Sequence, residues 1–297
     1  MLTHTMASND TYEIIDSHAH VFADPAVGLV PERLGGGAFP PSRLLELMDA
    51  EGVAKAVLLQ NPTIGSLNEL VARAIADHPD RFVGVIQVNP RSPEAVDRAR
   101  SLAASPGQRT LKFEMSASHG WSGIHKGIRL DEPCFTALWD LAEAEGLNVV
   151  IDPGPIGGPG YQLDEIDAIT GRHTNVRFLL EHLGFPRARD VDDAEAMAKQ
   201  RRLVSLAARE NVWLGCAAVP LLQDEEYPFP RSVGLLREAV ETVGAERVVW
   251  GSDLPGTLRR HTYRELIDFV RRAATFLTDD QKRAVLAGNA RTFWPQL

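Results

Sequence analysis

The stretch EIIDSHAH, residues 13–20, decides the fold of this chain. It opens with an apolar run that predicts a first strand over Glu13–Asp16, and the run leads directly into two histidines. An open, doubly wound sheet usually carries a glycine-rich phosphate-binding turn after its first strand. No such turn follows here, and no GxxxxGK(S/T) motif occurs anywhere in the sequence. The stretch therefore favours a closed barrel over an open nucleotide-binding sheet.

Apolar, β-branched runs alternate with longer amphipathic segments from this stretch to the C-terminus. Further strands are predicted at Ala56–Gln60, Phe82–Val88, Thr110–Phe113, Asn148–Ile151, Val176–Leu180, Val212–Cys216 and Arg247–Gly251. Eight strands, each followed by a helical segment, are typical of a closed parallel barrel. The sequence thus predicts the α/β class, as a single-domain (β/α)8 TIM barrel over residues 13–297 behind a disordered or frayed leader at residues 1–12.

The predicted helices carry recognisable start signals. Ser92 precedes a proline and predicts an N-cap for the third helix. Thr278, with Gln281 three residues later, predicts a capping box at the last helix. Ser66 and Asn68 are predicted N-caps for the second helix.

The composition excludes several functional classes. The net charge of −9 argues against nucleic acid and anionic membranes as partners, because both attract clustered Lys and Arg. No apolar stretch reaches the roughly 18–20 residues of a membrane span. Cys134 and Cys216 form neither a disulfide framework nor a thiolate metal cluster, and the first residues lack the pattern of a secretory signal. We therefore expect a cytoplasmic protein with neither a nucleic-acid nor a membrane partner.

A barrel concentrates its chemistry at the C-terminal ends of its strands. Polar residues stand at these predicted ends: His18 and His20, Gln60 and Asn61, Gln87 and Asn89, Lys112 and Glu114, Asp152, Glu181 and His182, Cys216, and Ser252 and Asp253. So many ionisable groups at one edge predict a functional site there.

His18 and His20 are two residues apart, so on a strand their side chains point the same way. Two neutral imidazoles side by side are good ligands for a divalent cation. The alternative interpretation is a pair of solvent-exposed loop histidines. The preceding apolar strand favours the metal-binding interpretation.

Asp253 and His182 are the other candidates for chemistry. Asp253 ends the eighth predicted strand and could accept a proton from water or bind a metal; a simple turn aspartate is the alternative. His182 ends the sixth predicted strand and could bind metal or polarise a carbonyl. The alternative for His182 is a structural histidine at a strand end.

Three motifs, in this order, resemble the amidohydrolase superfamily and specifically its amidohydrolase-2 branch. They are DSHAH at 16–20, EHLG at 181–184 and GSDLP at 251–255, and the closing GNARTFW at 288–294 resembles the usual C-terminal ending of the branch. The resemblance implies a distorted TIM barrel with Asp253 as the catalytic aspartate. It also implies that His18 and His20 bind metal or line the substrate site, and that His182 has a role there.

One position departs from the branch's pattern. Asp152 stands where decarboxylases and many hydrolases of the branch carry a metal-binding histidine on strand five. A carboxylate can still bind a hard or borderline cation, so the predicted ligands are His18, His20, Asp152 and Asp253, around a divalent ion such as zinc or manganese. A metal-free site is the alternative, since the sugar-lactone and pyrone-dicarboxylate lactonases of the branch also lack this histidine.

Substrate contacts are predicted on strand four and on the long loops at the strand ends. They are Lys112, Glu114, Trp121, Tyr227 and Arg259. A carbamylated Lys112 bridging two metals is disfavoured because Glu114 follows closely and the strand-five histidine is missing. This aromatic and cationic lining suits a small acidic, cyclic substrate.

These inferences predict a hydrolase for a lactone or related cyclic ester or amide. Asp253 would activate water, while the three histidines, with or without a divalent ion, would polarise the carbonyl. The alternative is metal-dependent, non-oxidative decarboxylation of an aromatic or enolic acid. A non-catalytic barrel is a third class, and retention of all three motifs argues against it. The expected partner is a small molecule, with homo-oligomerisation left open.

Overall fold

Eight parallel strands form the centre of the molecule, as the alternating sequence pattern predicts. The computed structural model describes residues 12–23 and 37–297. The strands are β1 (Ile15–His20), β2 (Lys55–Leu59), β3 (Phe82–Gly84), β4 (Thr110–Glu114), β5 (Asn148–Asp152), β6 (Phe178–Leu180), β7 (Val212–Gly215) and β8 (Val248–Val249). Each pairs in parallel with its successor, in one run from β1 to β3 and another from β4 to β8.

Short parallel contacts join the two runs into a closed barrel. Ile86, just beyond β3, bridges to Leu111 in β4. Ala19 in β1 bridges to Leu254 beyond β8, and the amide of His20 donates to the Leu254 carbonyl at 2.8 Å. The predicted closed barrel is confirmed, and its strand ends meet at one rim.

Helices cover the outside of the barrel. They are α1 (Pro41–Glu51), α2 (Asn68–Asp77), α3 (Ala95–Ala103), α4 (Trp121–Ile124), α5 (Pro133–Glu145), α6 (Leu163–Arg172), α7 (Ala194–Ser205), α8 (Val219–Leu222), α9 (Pro230–Val243), α10 (Tyr263–Asp268), α11 (Asp279–Arg283) and α12 (Asn289–Phe293). Among the described residues, no helix combines the length and apolar character needed to cross a membrane.

The C-terminal segment closes the bottom of the barrel. Apolar side chains from inside the barrel form one buried cluster with Phe293 and Trp294. The indole nitrogen of Trp294 donates to the hydroxyl of Thr110 at 3.0 Å, and the amide of Asn148 donates to the carbonyl of Phe293 at 2.5 Å. Because Thr110 and Asn148 are the first residues of β4 and β5, this plug lies at the end opposite the rim.

The helix-start predictions have mixed outcomes. The capping box of Thr278 and Gln281 is confirmed. The N-cap prediction for Ser66 and Asn68 is wrong: Leu67 is the N-cap residue. The side chain of Asn68 instead donates to Ser66 and to the Gln87 carbonyl, because burial makes these tertiary partners more valuable than a local cap.

The start of α3 and the end of the N-terminal leader also differ from their predicted positions. Ser92 lies outside α3, whose N-cap is Glu94, although the Ser92 hydroxyl accepts a bond from the Glu94 amide at 3.3 Å. Residues 1–11 of the predicted leader lie outside the described residues. Tyr12, the last residue of that leader, is buried in the core and donates to Asp279 at 2.9 Å.

Candidate active site

A β-bulge in β1 turns the two histidines of the first motif into the barrel. Ile15 pairs with Lys55 and Asp16 with Ala56, but the next aligned pair is Ala19 with Leu58, so β1 carries one extra residue. An extra residue shifts the following side chains to the other face of a strand. Ile15 packs inside the barrel, and beyond the bulge His18 and His20 line its upper cavity.

Asp16 of the same motif faces the other way and fixes β1 to the β8 loop. Its carboxylate accepts bonds from the Ser252 amide at 2.9 Å, the Ser252 hydroxyl at 2.5 Å and the Tyr263 hydroxyl at 2.8 Å. The amide of His18 also donates to it, at 3.1 Å. With its oxygens occupied and no exposed surface, Asp16 holds the rim together without reaching the cavity.

Three donor atoms converge beside β1. The Nε2 atoms of His18 and His20 lie 3.2 Å apart, and Asp253 Oδ1 lies 3.6 Å from the first and 3.2 Å from the second. Ligand atoms about 2.0–2.2 Å from a tetrahedral zinc ion lie roughly 3.4 Å from one another, so these three atoms have the spacing of a divalent-metal site.

The protonation of His20 also suits a metal ligand. Its Nδ1 lies 3.1 Å from the carbonyl oxygen of Leu59, which can only accept, so Nδ1 carries the proton and Nε2 a lone pair. Burial lowers the pKa of His20 to about 4, against the opposing effect of Asp253, and keeps the ring neutral. The residues present therefore fit a divalent ion held by His18, His20 and Asp253.

Asp253 is held in a constrained backbone conformation. Its φ is 59°, in the left-handed region that side chains other than glycine rarely adopt, and its amide donates to the His18 carbonyl at 2.7 Å. Burial would raise the pKa of this carboxyl, but the nearby rings of His20, His18 and His182 lower it below its ordinary value. A quarter of the side chain (25%) is exposed, so an ionised carboxylate meets the cavity.

His182 lies beside His18, with ring centroids 5.0 Å apart, and is cationic. It occupies a turn of successive left-handed residues that also includes Leu183. Its Nδ1 faces the Ala217 carbonyl at 2.9 Å and its Nε2 faces Asp152 Oδ2 at 3.1 Å, so acceptors face both nitrogens. Burial would lower the pKa of His182, but the Asp152 carboxylate outweighs it and raises that pKa to about 10. The ring is therefore an imidazolium at neutral pH.

Asp152, the residue in place of the strand-five histidine, is occupied by these partners. Its other oxygen accepts from the Gly154 amide at 2.9 Å, and Glu114 pairs with the same carboxylate. Burial and the Asp152 charge raise the pKa of Glu114 well above its ordinary value, whereas His182 and the hydrogen bond from Glu114 hold the pKa of Asp152 low despite burial. The Glu114–Asp152 pair thus shares a single proton. The predicted use of Asp152 as a metal ligand is not supported by this arrangement.

A second set of buried donors shares His18 with the first. Among the described residues, His18, Glu181 and His182 also offer ligand atoms close enough for an ion. Since acceptors already face both nitrogens of His182, it would have to give up a partner to bind metal. The His18–His20–Asp253 set needs no such loss, so it is the better candidate site.

The cavity has a volume of about 280 Å³ and opens at the rim. Its described lining residues include His18, His20, Asn61, Lys112, Glu114, Ser116, Asp152, His182, Phe185, Arg187, Asp253 and Arg259. The Lys112 ammonium lies 3.0 Å from Asn61 Oδ1 and 3.7 Å from Glu114 Oε2. The predicted residues Lys112, Glu114 and Arg259 are thus brought together with the histidines and Asp253.

Two predicted substrate contacts lie elsewhere. Within the described part of the chain, neither Trp121 nor Tyr227 belongs to the cavity wall. Trp121 is buried in α4 and stacks on His125, with ring centroids 5.8 Å apart. Tyr227 is 40% exposed and packs against Phe229 on the outer surface. The structure does not bring these two rings together with the other cavity residues, and their contact with a substrate stays a prediction.

Sequence reasoning missed other parts of the site. Phe185 packs edge-on against His182, with ring centroids 5.2 Å apart, and Arg187 lies beside the opening. Both follow the EHLG motif closely, which is the only signal that could have marked them. Glu181, in the same motif, is fully buried behind His18 and received no role from the sequence.

Known structures share this architecture. An amidohydrolase from Burkholderia multivorans with bound zinc has a TM-score of 0.76 at 20% identity, over 95% of this chain and 99% of that chain. A probable 2-pyrone-4,6-dicarboxylic acid hydrolase from Acinetobacter baumannii with bound citric acid has a TM-score of 0.73 at 17% identity, over 95% and 99%. The 5-carboxyvanillate decarboxylase from Sphingomonas paucimobilis has a TM-score of 0.68 at 19% identity, over 96% and 99%.

At these identities the structural likeness shows the fold, and the family comes from the sequence itself. A family model described as Amidohydrolase matches residues 15–296, nearly the whole chain. The match includes all three motifs and the closing plug. The chain therefore belongs to the amidohydrolase-2 family and is a TIM-barrel enzyme of that family.

Proposed function

We propose that the protein is a hydrolase that opens a lactone or a related cyclic ester or amide. The observation that carries the proposal is the pairing of an ionised carboxylate, Asp253, with an imidazolium, His182, at one cavity. Ester hydrolysis needs a base for water and a positive group for the oxyanion. The likeness to a probable pyrone-dicarboxylic acid hydrolase adds support for a cyclic ester.

In this mechanism Asp253 acts twice on one proton. Its carboxylate accepts a proton from the attacking water as the new C–O bond forms. As the ring C–O bond breaks, Asp253 returns the proton to the leaving oxygen, so that water and lactone give a hydroxy acid. An ionised carboxylate is ready for the first step, and its partial exposure allows contact with water.

Two positive groups of the cavity, His182 and Lys112, stabilise the oxyanion. His182 keeps its charge because Asp152 faces it, and the Lys112 ammonium lines the same cavity. Charges fixed by hydrogen bonds need little reorganisation during the reaction, which makes them effective in a water-poor site. Lys112 and Arg259 are also the proposed contacts for a carboxylate on the substrate.

A divalent ion, zinc or manganese, fits the His18–His20–Asp253 set, and when bound it would polarise the carbonyl and lower the pKa of water. The zinc held by the Burkholderia multivorans amidohydrolase supports this assignment. Proton transfer by Asp253 and charge stabilisation by His182 and Lys112 are carried out by side chains of the protein itself.

A paired assay tests hydrolysis against decarboxylation. Purified enzyme is offered sugar lactones and pyrone carboxylates, with acid release followed by a pH indicator and ring opening by NMR. Hydroxybenzoates are offered in parallel, with carbon dioxide captured. Ring opening that disappears in Asp253→Asn supports the proposal. Carbon dioxide release without hydrolysis of any lactone would overturn it in favour of a decarboxylase.

A further inference from the structure

Glu181 is a buried carboxylate that the proposed mechanism does not use. It directly follows β6 and its exposed fraction is 0%. Among the described residues, neither of its oxygens has a regular hydrogen-bond partner. Burying an ionised carboxylate without compensation costs several kcal/mol, so such a group needs a donor or a positive charge beside it.

The ring of His18 lies beside Glu181, and the imidazolium of His182 has a nitrogen within 4.8 Å of this carboxylate. Glu181 Oε1 lies 3.1 Å from His18 Nδ1, although the N–H is not well aligned with the oxygen. Within residues 12–23 and 37–297, Nδ1 has no other hydrogen-bond partner. On the other side of the same ring, Nε2 faces His20 Nε2 at 3.2 Å and Asp253 Oδ1 at 3.6 Å. The His18 ring thus lies between the buried Glu181 carboxylate and the other two candidate metal ligands, His20 and Asp253.

Two glycines make room for this arrangement. A Cβ added at Gly215 in β7 would lie 2.1 Å from Glu181 Oε2, and one added at Gly251 would lie 2.6 Å from His18 Cβ. Real side chains do not approach so closely, so any other residue at either position would displace the pair. The absence of a side chain at Gly215 and Gly251 therefore provides the space that Glu181 and His18 occupy.

We propose that Glu181 is a positioning residue that keeps the His18 proton on Nδ1 and leaves the Nε2 lone pair facing His20 and Asp253. A carboxylate attracts the N–H of a neutral imidazole, and the choice of tautomer decides which nitrogen can bind a cation. This inference deepens the proposed function, because it concerns the same site, but it depends on neither the substrate nor the reaction.

The chain offers a matched control. Glu143 Oε2 lies 2.8 Å from His173 Nδ1, a second carboxylate–histidine contact outside the cavity wall. The test compares Glu181→Leu and Glu181→Gln with Glu143→Leu. One measurement is the tautomer of His18 in metal-free, histidine-15N-labelled protein, assigned by its loss in His18→Gln. The other is the dissociation constant of Zn²⁺, from competition with a chelator.

In wild type we expect His18 protonated at Nδ1 with a bare Nε2. In Glu181→Leu the proton should move to Nε2, and the affinity for Zn²⁺ should fall by about 10–100-fold. Glu181→Gln, which keeps an acceptor of the same shape, should keep the tautomer, shift the Nδ1–H resonance and lose less affinity. Glu143→Leu should change the His173 signals alone and leave Zn²⁺ binding at the wild-type level.

An unchanged His18 tautomer and unchanged Zn²⁺ affinity in Glu181→Leu would overturn the proposal. If Glu181→Leu does not fold, an unchanged Nδ1–H resonance in Glu181→Gln would overturn it equally. A wild type with Nε2 protonated would do the same without any variant. Because both measurements are made without substrate, failure of the hydrolase assignment would leave their result intact.

Discussion

At the scale of single residues, one cavity holds an ionised carboxylate and a cationic imidazole on either side of His18. Asp253 is ionised because the histidines around it outweigh burial, and His182 is protonated because Asp152 outweighs burial. Both charges depend on named neighbours, so removing a neighbour should change the chemistry without touching the catalytic side chain.

The replacement Asp152→Asn tests the charge of His182. It removes the carboxylate that does most to raise the pKa of His182, so that pKa should fall, although Asp253 and Glu181 still raise it. A raised pKa preserves the cation as pH increases, so wild type should keep it up to about pH 10, and the variant should lose it at a lower pH. The pH profile of kcat/KM measures this. Identical profiles for the two proteins would show that the charge of His182 does not enter the reaction.

At the scale of elements, the termini of helices and strands set the shape of the rim. Glu225 lies before α9 and accepts bonds from the amides of Arg231 and Ser232, at 2.7 and 2.8 Å, and from the Ser232 hydroxyl at 2.7 Å. Glu225 thus acts as the cap of α9, because Phe229 at the N-cap position has an apolar side chain that cannot accept these bonds.

We expect Glu225→Ala to lower the free energy of unfolding by about 1–2 kcal/mol, because these amides lose their acceptor. Burial would raise the pKa of Glu225, but its bonds to Ser232 and Arg231 lower it overall. A lowered pKa gives stability that is present above the ordinary value of 4.5 and is lost as pH falls through the folded-state value.

Urea unfolding at neutral and acidic pH measures this effect, with Glu226→Ala as the control. Glu226 is 75% exposed and pairs with Arg260 at the surface, so its loss should cost less than about 1 kcal/mol. Equal destabilisation by the two variants would contradict the capping role of Glu225.

The sequence predicted which elements exist better than where they end. All eight strands were expected, but β3 stops at Gly84 instead of Val88 and β8 covers only Val248–Val249. Apolar runs persist beyond the last paired residue because rim segments stay buried after leaving the ladder, and hydropathy does not distinguish the two. The bulge in β1 is likewise a matter of register with β2, which a single strand does not reveal.

The site followed the same division. The strand-borne residues His18, His20, Lys112 and Asp253 could be predicted, because barrel topology alone brings strand ends together. Trp121 and Tyr227 could not, because the direction of a loop side chain depends on packing between distant segments.

At the scale of the whole molecule, the barrel separates stability from chemistry. The C-terminal plug fills the bottom of the barrel, while the ionisable groups meet at the top. We therefore expect different residues to stabilise the fold and to carry out the reaction.

Trp294→Ala tests this separation. The ring is fully buried, so its loss should lower the free energy of unfolding by about 3–5 kcal/mol. In protein that remains folded, kcat and KM should stay near wild type, because the plug lies at the end away from the cavity. Ile124→Ala, at a surface position that is 44% exposed, should change stability by less than about 0.5 kcal/mol. A large loss of kcat in folded Trp294→Ala would show that the two ends are coupled.

The most direct test of the central claim is the turnover of Asp253→Asn on a hydrolysed lactone. Asparagine has nearly the same shape but cannot accept the proton of water, so kcat should fall by about 10²–10⁴-fold. Circular dichroism should be unchanged, and the metal content of each sample should be measured alongside, because Asp253 is also a candidate ligand. The predicted result is a folded protein that still binds the lactone and does not turn it over. Near-wild-type turnover by folded Asp253→Asn would contradict the mechanism proposed here.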